Sequence, residues 1–95
     1  MVRLFDGDEV VGVVKYTDNL DFYDGRNYSC GGVGRHLGIG KLKNGKWYVC
    51  YGTQWQGERD YAEVISESTA KKLCLQHNPD IYETLFDEKP EILSE

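Results

Sequence analysis

An Asn-Gly pair at positions 44 and 45 stands between two runs of alternating side chains, and it restricts the possible folds more than any other feature of the chain. Asn-Gly is strongly preferred in two-residue hairpin turns of type I′, because both turn positions need a positive φ. The flanking runs, residues 35–43 and 46–55, alternate with the period of two that strands require. The sequence therefore predicts a β-hairpin closed by a type I′ turn.

Three more runs have the composition of strands. Val2 to Phe5 and Glu9 to Tyr16 are rich in β-branched residues and are separated by Asp6-Gly7-Asp8, a second hairpin signal. Apolar side chains fall on both faces of the run from Glu9 to Tyr16, so we expect a central strand there. A fifth, short strand is predicted from Tyr61 to Ile65.

The remaining chain predicts one long loop and two helices. Residues 17–34 contain so many Asp, Asn and Gly residues that we expect no regular element there. Ser66 is a suitable helix N-cap, and the helix that it begins runs to about His77, where Asn78-Pro79 ends it. A second short helix is predicted to start at Asp80.

Together these elements predict a single α+β domain. We expect an antiparallel sheet of four to five strands, packed on one face by the main C-terminal helix from Ser66 to His77, with a short second helix after it. A chain of 95 residues buries only about 60–70% of its unfolded surface, which suits one core. We assign residues 1–89 to this domain and residues 90–95 to an acidic, flexible tail.

Composition limits the cellular setting and the class of partner. The three cysteines are irregularly spaced and no secretory signal is evident, so we expect a cytoplasmic setting in a prokaryotic or infected host cell. No apolar run approaches the ~20 residues that cross a bilayer, so no membrane contact is expected. The net charge of −5 argues against direct nucleic-acid binding.

The charge is distributed unevenly along the chain. Residues 26–59 carry +5 (6 basic, 1 acidic), whereas residues 1–25 carry −4 (2 basic, 6 acidic) and residues 60–95 carry −6 (3 basic, 9 acidic). A basic centre between two acidic flanks is typical of a recognition surface more than of a reaction centre.

Glycines near the middle of the chain raise the possibility of a phosphate-binding loop. The run from Gly34 to Gly40 followed by Lys41 is one residue too long for a phosphate loop, and Leu42 replaces the hydroxyl that binds magnesium. We therefore interpret Gly38 and Gly40 as structural, because they leave one strand face free for large rings to cover. The candidate rings are Trp47, Tyr48 and Tyr51.

Metal binding and catalysis have little support in the sequence. Cys74 and His77 are one helical turn apart, but a zinc site usually needs a second tightly spaced pair, so no metal or other cofactor is predicted. Cys30 and His36 are the only nucleophile and base close in sequence, and no third group supports them. We therefore predict that the chain is not an enzyme.

Three aspartates in the predicted loop suggest a cation site at first sight. Asp18, Asp21 and Asp24 recur at three-residue steps. The alternating carboxylates and the closing glutamate of a calcium loop are missing, so we expect these side chains to bond to the neighbouring backbone.

The strongest functional signal is the concentration of aromatic residues in the middle of the chain. Nine of the twelve lie between Tyr16 and Tyr61, in the stretch that holds the positive charge. Trp, Tyr and Arg dominate binding hot spots, because they bury a large area and keep directional donors. The residues predicted to bind a partner are Asp21, Phe22, Tyr23, Asp24, Arg26, Tyr28, Arg35, Trp55, Gln56 and Arg59.

One stretch of the chain resembles a known sequence pattern. A strand ends in a Gln-Trp-Gln-Gly turn, Gln54 to Gly57, and a short strand then leads into the helix capped by Ser66. This pattern resembles small, mostly uncharacterised bacterial and phage accessory domains, and the resemblance covers about a third of the chain, from Tyr48 to Leu75. It implies an accessory protein of a prokaryotic chromosome or mobile element, and it assigns no catalytic residues.

These observations lead to three functional hypotheses. The first is a small non-enzymatic protein-interaction domain, specifically a phage-encoded inhibitor of a host defence complex, similar to anti-CRISPR proteins. Its partner would be a host protein or ribonucleoprotein complex, and an exposed aromatic face could also produce a homodimer.

The two alternatives involve small molecules. One is a small-ligand or nucleotide-binding module that uses the Gly-rich loop and the aromatic strand face. Its pocket would be lined by Tyr28, His36, Trp47 and Trp55. The other is a hydrolase, which requires the side chains of Cys30 and His36 to lie within hydrogen-bond reach.

Overall fold

The structure is a computed structural model that describes residues 1–23, 28–29, 35–53, 57–90 and 93–94. Within them the chain forms an α+β fold, as predicted, with a five-stranded sheet, a two-stranded sheet and two α-helices. The strands are β1 (Val2–Asp6), β2 (Glu9–Val14), β3 (Phe22–Tyr23), β4 (Tyr28–Ser29), β5 (Arg35–Lys41), β6 (Trp47–Thr53) and β7 (Tyr61–Ile65). The helices are α1 (Glu67–His77) and α2 (Tyr82–Phe86), with a 3₁₀ turn (Pro79–Ile81) between them.

The five-stranded sheet has the strand order β2-β1-β7-β6-β5 and is mixed. β1 and β7 run parallel, with Arg3 opposite Tyr61 and Phe5 opposite Glu63, while the other neighbouring pairs are antiparallel. The predicted number of strands is confirmed, but the prediction of a purely antiparallel sheet was wrong. No hairpin joins β1 to β7, so contacts between distant parts of the chain set their direction.

β2 lies at one edge of the sheet, although its apolar faces predicted a central strand. Val10, Val11 and Val13 are all exposed, and Val13 has 59% of its surface accessible. The pairing with β1 is irregular between Leu4 and Phe5, which makes Val11 the extra residue of a β-bulge. β2 therefore presents an exposed apolar edge, and the prediction of a central strand was wrong.

Both predicted hairpins are confirmed. The turn between β5 and β6 is not of the predicted type I′, because that type needs a positive φ at both turn residues and only Gly45 has one, at +87°. The Leu42 carbonyl accepts from the amide of Gly45 at 3.0 Å, and Asn44 Oδ1 accepts from the amide of Lys46 at 3.0 Å. The Asn44 side chain thus stabilises a longer, three-residue loop.

A two-stranded sheet lies within residues 17–34, where no regular element was predicted. Phe22 pairs with Ser29 and Tyr23 with Tyr28 in antiparallel register. Aromatic residues favour an extended backbone, and here they outweigh the turn formers around them. The loop prediction was therefore wrong for β3 and β4, and the residues that join and follow these two strands lie outside the described part of the chain.

The C-terminal helices agree with the prediction. Ser66 caps α1, since its Oγ accepts from the amide of Thr69 at 3.1 Å, and α1 ends at His77 with Asn78 as its C-cap. Pro79 begins the 3₁₀ turn that leads into α2, and α2 itself starts at Tyr82, two residues after the predicted Asp80.

The sheet packs apolar side chains on both faces. On the helix face, α1 and α2 cover the half of the sheet formed by β5 and β6. The core of the helix face consists of Leu20, Leu37, Ile39, Trp47, Val49, Ala70, Cys74 and Tyr82. The core of the opposite face consists of Val2, Leu4, Val14, Tyr48, Cys50 and Ala62.

Two glycines of β5 are closely covered on the opposite face. The Tyr48 ring lies over Gly40, as predicted, since a Cβ added to Gly40 would be 2.5 Å from Cζ of that ring. Gly38 is covered differently from the prediction, because the backbone of Thr17 lies there in place of a ring. Thr17 begins a segment, residues 17–21, that crosses the opposite face and reaches the outer edge of β5; we call it the crossing segment.

The crossing segment bonds to the backbone along the edge of β5. Asn19 Oδ1 accepts from the amide of Ile39 and Asn19 Nδ2 donates to its carbonyl, both at 2.9 Å. The amide of Leu20 donates to the Leu37 carbonyl at 3.0 Å, and Asp21 Oδ1 accepts from the Leu37 amide at 2.9 Å. Backbone groups that an edge strand would otherwise expose are therefore bonded.

Candidate interaction surface

A row of rings crosses the helix face from β6, where Tyr51 packs against the core beneath the helices, to β1. Tyr51 of β6, Tyr61 of β7 and Phe5 of β1 lie on adjacent strands. The ring centroids of Tyr51 and Tyr61 are 5.0 Å apart in a stacked arrangement, and those of Tyr61 and Phe5 are 6.1 Å apart, edge to face. Both geometries are favourable for aromatic pairs, so the rings hold one another in place.

Two arginines border this row of rings. The Arg3 guanidinium lies 5.7 Å from the centroid of the Phe5 ring, within the range of a cation–π contact. Arg3, Phe5, Arg59 and Tyr61 line a depression of about 360 Å³. We call Arg3, Phe5, Tyr51, Arg59 and Tyr61 the ring surface.

The ring surface is amphipathic and partly open to solvent. Tyr61 has 38% of its surface accessible, and Phe5 and Tyr51 are half-buried. Burial, and after it the nearby Glu63 carboxylate, raises the pKa of Tyr51, so its hydroxyl stays protonated at neutral pH. The surface can therefore bury rings against a partner while its hydroxyl and guanidinium groups donate hydrogen bonds.

The structure describes the side chains of only some of the ten residues predicted to bind a partner. Those described are Asp21, Arg35 and Arg59, and of these Arg59 belongs to the ring surface. Phe22, Tyr23 and Tyr28 lie in β3 and β4. Asp24, Arg26, Trp55 and Gln56 lie outside the described residues, as does Gln54 of the turn that carries the family resemblance.

Arg35 begins β5 and is engaged by a neighbouring carboxylate. Its Nη2 lies 3.0 Å from Oε1 of Glu58, and its Nη1 bonds to the other carboxylate oxygen. These bonds, together with one from the Thr53 hydroxyl at 2.8 Å, lower the pKa of Glu58. Arg35 and Glu58 both remain about half exposed, so they form a surface ion pair. The pair lies at the start of β5, and the hairpin to β6 lies at its other end.

Asp21 is buried and binds to β5. Its Oδ2 lies 2.6 Å from Nδ1 of His36, and its Oδ1 accepts from the Leu37 amide. The expectation that this aspartate bonds to the neighbouring backbone was wrong, because these partners are 15 and 16 residues away. Asp21 therefore ties the crossing segment to β5.

The same region brings potential metal ligands together. Ligand atoms of Asp18, Asp21 and His36 lie within 4.8 Å of one another, a spacing that could hold a metal ion. Asp21 already uses both oxygens on His36 and Leu37, so we interpret the cluster as a structural contact between the crossing segment and β5.

His36 and Trp47, expected to line one small-ligand pocket, lie on opposite faces of the sheet. In the β5–β6 register His36 pairs with Gly52, which shares its face with Tyr48, whereas Trp47 faces the helices. Trp47 is buried, and its ring centroid lies 4.6 Å from that of Phe86 in α2. These two side chains therefore do not line a common pocket.

The described cysteines are part of the core. Cys50 and Cys74 are buried free thiols, and burial raises the pKa of both. Cys74 Sγ donates to the carbonyl of Asn78 at 3.4 Å, which ties it to the end of α1. Cys30, the nucleophile of the hydrolase hypothesis, lies outside the described residues.

Four residues of the ring surface were missing from the predicted set: Arg3, Phe5, Tyr51 and Tyr61. Strand alternation gave a usable signal for two of them, because it assigned Tyr51 and Tyr61 to defined faces of their strands. Arg3 and Phe5 join them only through the parallel pairing of β1 with β7, for which the sequence holds no local signal.

A scan against protein-family models found no match. Searches of the curated proteins and of the solved structures found none either. Among the described residues, no helix has the length and apolar character needed to cross a bilayer. A function must therefore follow from the chain's own residues and their geometry.

Proposed function

We propose that the chain is a small, non-enzymatic protein-interaction domain that binds its partner through the ring surface. The observation that carries this proposal is the row formed by Tyr51, Tyr61 and Phe5 on the helix face, in which Tyr61 has 38% of its surface accessible. Rings flanked by guanidinium groups are among the side chains that contribute most to protein–protein affinity. Because these rings already pack on one another, little side-chain entropy remains to be lost on binding.

The charges around the ring surface favour a protein partner over a nucleic acid. Arg3 and Arg59 are matched by two carboxylates, Asp8 and Glu63, that line the same depression. Phosphate groups require an excess of cationic side chains, and the chain as a whole carries −5. Mixed charges around an apolar centre are typical of protein–protein interfaces.

A narrower form of the proposal is a phage-encoded inhibitor of a host defence complex, similar to anti-CRISPR proteins. It is supported by the small size of the chain and by the acidic flanks, which carry −4 over residues 1–25 and −6 over residues 60–95. Acidic segments can compete with nucleic acid for a basic channel of a ribonucleoprotein, and complementary charge also speeds association. The ring surface would then supply the apolar anchor of the contact.

The proposal is tested by capture of partners from bacterial lysate with matched variants. Tyr61→Ala and Arg59→Ala alter the ring surface, and Tyr16→Ala is the control, because Tyr16 has nearly the same accessible fraction, 39%, and packs against Gly52 on the opposite face. A hot-spot ring contributes about 2 kcal/mol or more, so Tyr61→Ala should weaken binding roughly 30-fold.

We expect at least one captured protein to be lost with Tyr61→Ala and Arg59→Ala and kept with Tyr16→Ala. Circular dichroism on all three variants checks that the fold is intact. If the captured proteins are the same for the wild type and every variant, the ring surface is not the binding site.

A small-ligand function has one specific observation in its favour, at a site other than the predicted Gly-rich loop and aromatic strand face. The depression of about 360 Å³ combines the rings of Phe5 and Tyr61 with the guanidinium groups of Arg3 and Arg59, and its size is sufficient for a nucleotide-sized anion. A thermal-shift measurement with nucleotides tests it. A rise in Tm that Tyr61→Ala abolishes would support this alternative over a protein partner.

A further inference from the structure

A second surface lies beside β2, on the opposite face of the sheet. It is a groove of about 820 Å³ that contains Tyr48 and Val64 on its apolar floor, and two exposed residues of β2, Val11 and Val13, also line it. The groove therefore combines an apolar floor with exposed valines of an edge strand.

The rim of this groove is basic. Four lysines line it, Lys15, Lys41, Lys43 and Lys46, and Asp6 is the one acidic residue among the described lining residues. The lining thus carries +3 (four Lys less one Asp), against −5 for the whole chain. Across the described ranges none of these four lysines forms an ion pair with a carboxylate.

The unpaired backbone edge of β2 borders this groove, on the side of β2 away from β1. Within the described residues β2 pairs with β1 on one side only, so alternate amide and carbonyl groups on its other side face outward. An extended peptide can pair with such an edge and place alternate side chains on the two faces of the sheet.

We propose that the groove binds an extended acidic segment of a partner protein, which adds to β2 as a further strand. Carboxylates of the segment would lie near the four lysines, and its apolar side chains would contact Val11 and Val13. This inference does not rest on the ring surface, which lies on the helix face.

Two features of β2 restrict which strand can pair with it. The bulge at Val11 and the charge of Lys15 are devices that keep an edge strand from pairing with further copies of itself. The bulge disfavours regular pairing with any strand, whereas Lys15 and the basic rim repel a basic strand and attract an acidic one. Acidic character is therefore the property that the partner needs.

Fluorescence anisotropy with three labelled peptides tests the proposal. The probe alternates Glu and Val over about seven residues, a usual strand length; one control alternates Lys and Val, and the other is the Glu and Val peptide with methylated backbone nitrogens. The protein variant is Lys43→Glu with Lys46→Glu, and its matched control is Lys72→Glu, an exposed lysine on α1.

We expect the Glu and Val probe to bind and the Lys and Val and methylated peptides not to bind. The double variant should weaken binding about tenfold, because each exposed pair contributes up to about 1 kcal/mol, whereas Lys72→Glu should leave it unchanged. Absence of binding by the probe, or equal binding of the methylated peptide, overturns the proposal. It is also overturned if an unlabelled oligothymidine displaces the probe better than unlabelled probe does.

Discussion

The two outer strands of the five-stranded sheet, β5 and β2, differ in how their free edges are treated. The edge of β5 is bonded by the crossing segment, which supplies the Asn19 side chain, the Leu20 amide and the Asp21 carboxylate. The edge of β2 has no such cover among the described residues, and it exposes valines instead. One edge is thus part of the core structure, and the other is unpaired within the described part of the chain.

The two edges should therefore contribute differently to the stability of the fold. The crossing segment inserts Leu20, which is fully buried, into the core of the helix face, so removing it would open that core. Val10, Val11 and Val13 of β2 remain exposed and contribute little to the core, whereas Val14 at the end of the strand is buried. We therefore expect substitutions in the crossing segment and β5 to lower the free energy of unfolding, and substitutions at the exposed positions of β2 to leave it nearly unchanged.

The largest effect is expected for Leu20→Ala. The change leaves a cavity in the core of the helix face and should lower the free energy of unfolding by about 3 kcal/mol. Urea unfolding measures it, with Leu75→Ala as the control, since Leu75 is an exposed leucine of α1 and should change stability by no more than about 0.5 kcal/mol. Equal losses for the two variants would show that the crossing segment is not part of the core.

A pair of glycine substitutions compares the two edges directly. An added Cβ at Gly38 in β5 would lie 2.2 Å from the carbonyl oxygen of Thr17, so Gly38→Ala must displace the crossing segment and should cost about 2 kcal/mol. At Gly12 in β2 a Cβ meets no atom within 4 Å, and Gly12→Ala should be neutral or stabilising by up to about 1 kcal/mol. The denaturant midpoints of the two variants measure this difference. If Gly12→Ala lowers the free energy of unfolding as much as Gly38→Ala does, the contrast between the two edges is contradicted.

Asn19→Ala should have an intermediate effect. It removes both side-chain bonds to the backbone of Ile39, which is buried, and an unsatisfied buried group costs about 1–3 kcal/mol. Asn44→Ala is the matched control, because Asn44 also accepts a backbone hydrogen bond but is exposed. The loss at Asn44 should be smaller, and thermal unfolding of both variants gives the order.

The smallest effect is expected at alkaline pH. Burial, and after it the carboxylates of Asp18 and Asp60, raises the pKa of Tyr16 to about 12 from the ordinary value of 10.0. A raised pKa means that the contribution to stability is complete below pH 10 and is lost as the pH rises towards about 12. Unfolding across this window should show a shallower loss for Tyr16→Phe than for the wild type, and identical slopes would contradict the assignment.

The sequence was informative wherever the signal is local. Both hairpins and the Ser66 cap of α1 were predicted correctly, because each depends on residues only a few positions apart in the sequence. The turn type at Asn44-Gly45 was wrong, since the same dipeptide also fits a three-residue loop with only Gly45 at positive φ.

Features that depend on distant contacts were not predictable from the sequence. The parallel pairing of β1 with β7 and the position of β2 at an edge depend on which strands distant in sequence become neighbours in the sheet. The hydrogen bond from the Leu37 amide to the Asp21 carboxylate joins residues 16 positions apart. Nothing in the sequence around Asp21 distinguishes it from the other aspartates of the predicted loop. For the same reason, Arg3 and Phe5 of the ring surface were not predicted.

Native-state hydrogen exchange, read residue by residue, tests the contrast between the two edges most directly. We expect the amides of Leu37 and Ile39 to exchange slowly, with opening free energies close to that of global unfolding, because Asp21 and Asn19 accept from them. Alternate amides of β2, those not bonded to β1, should exchange much faster in the same sample. Rapid exchange at Leu37 and Ile39, or uniformly slow exchange along β2, would contradict the account.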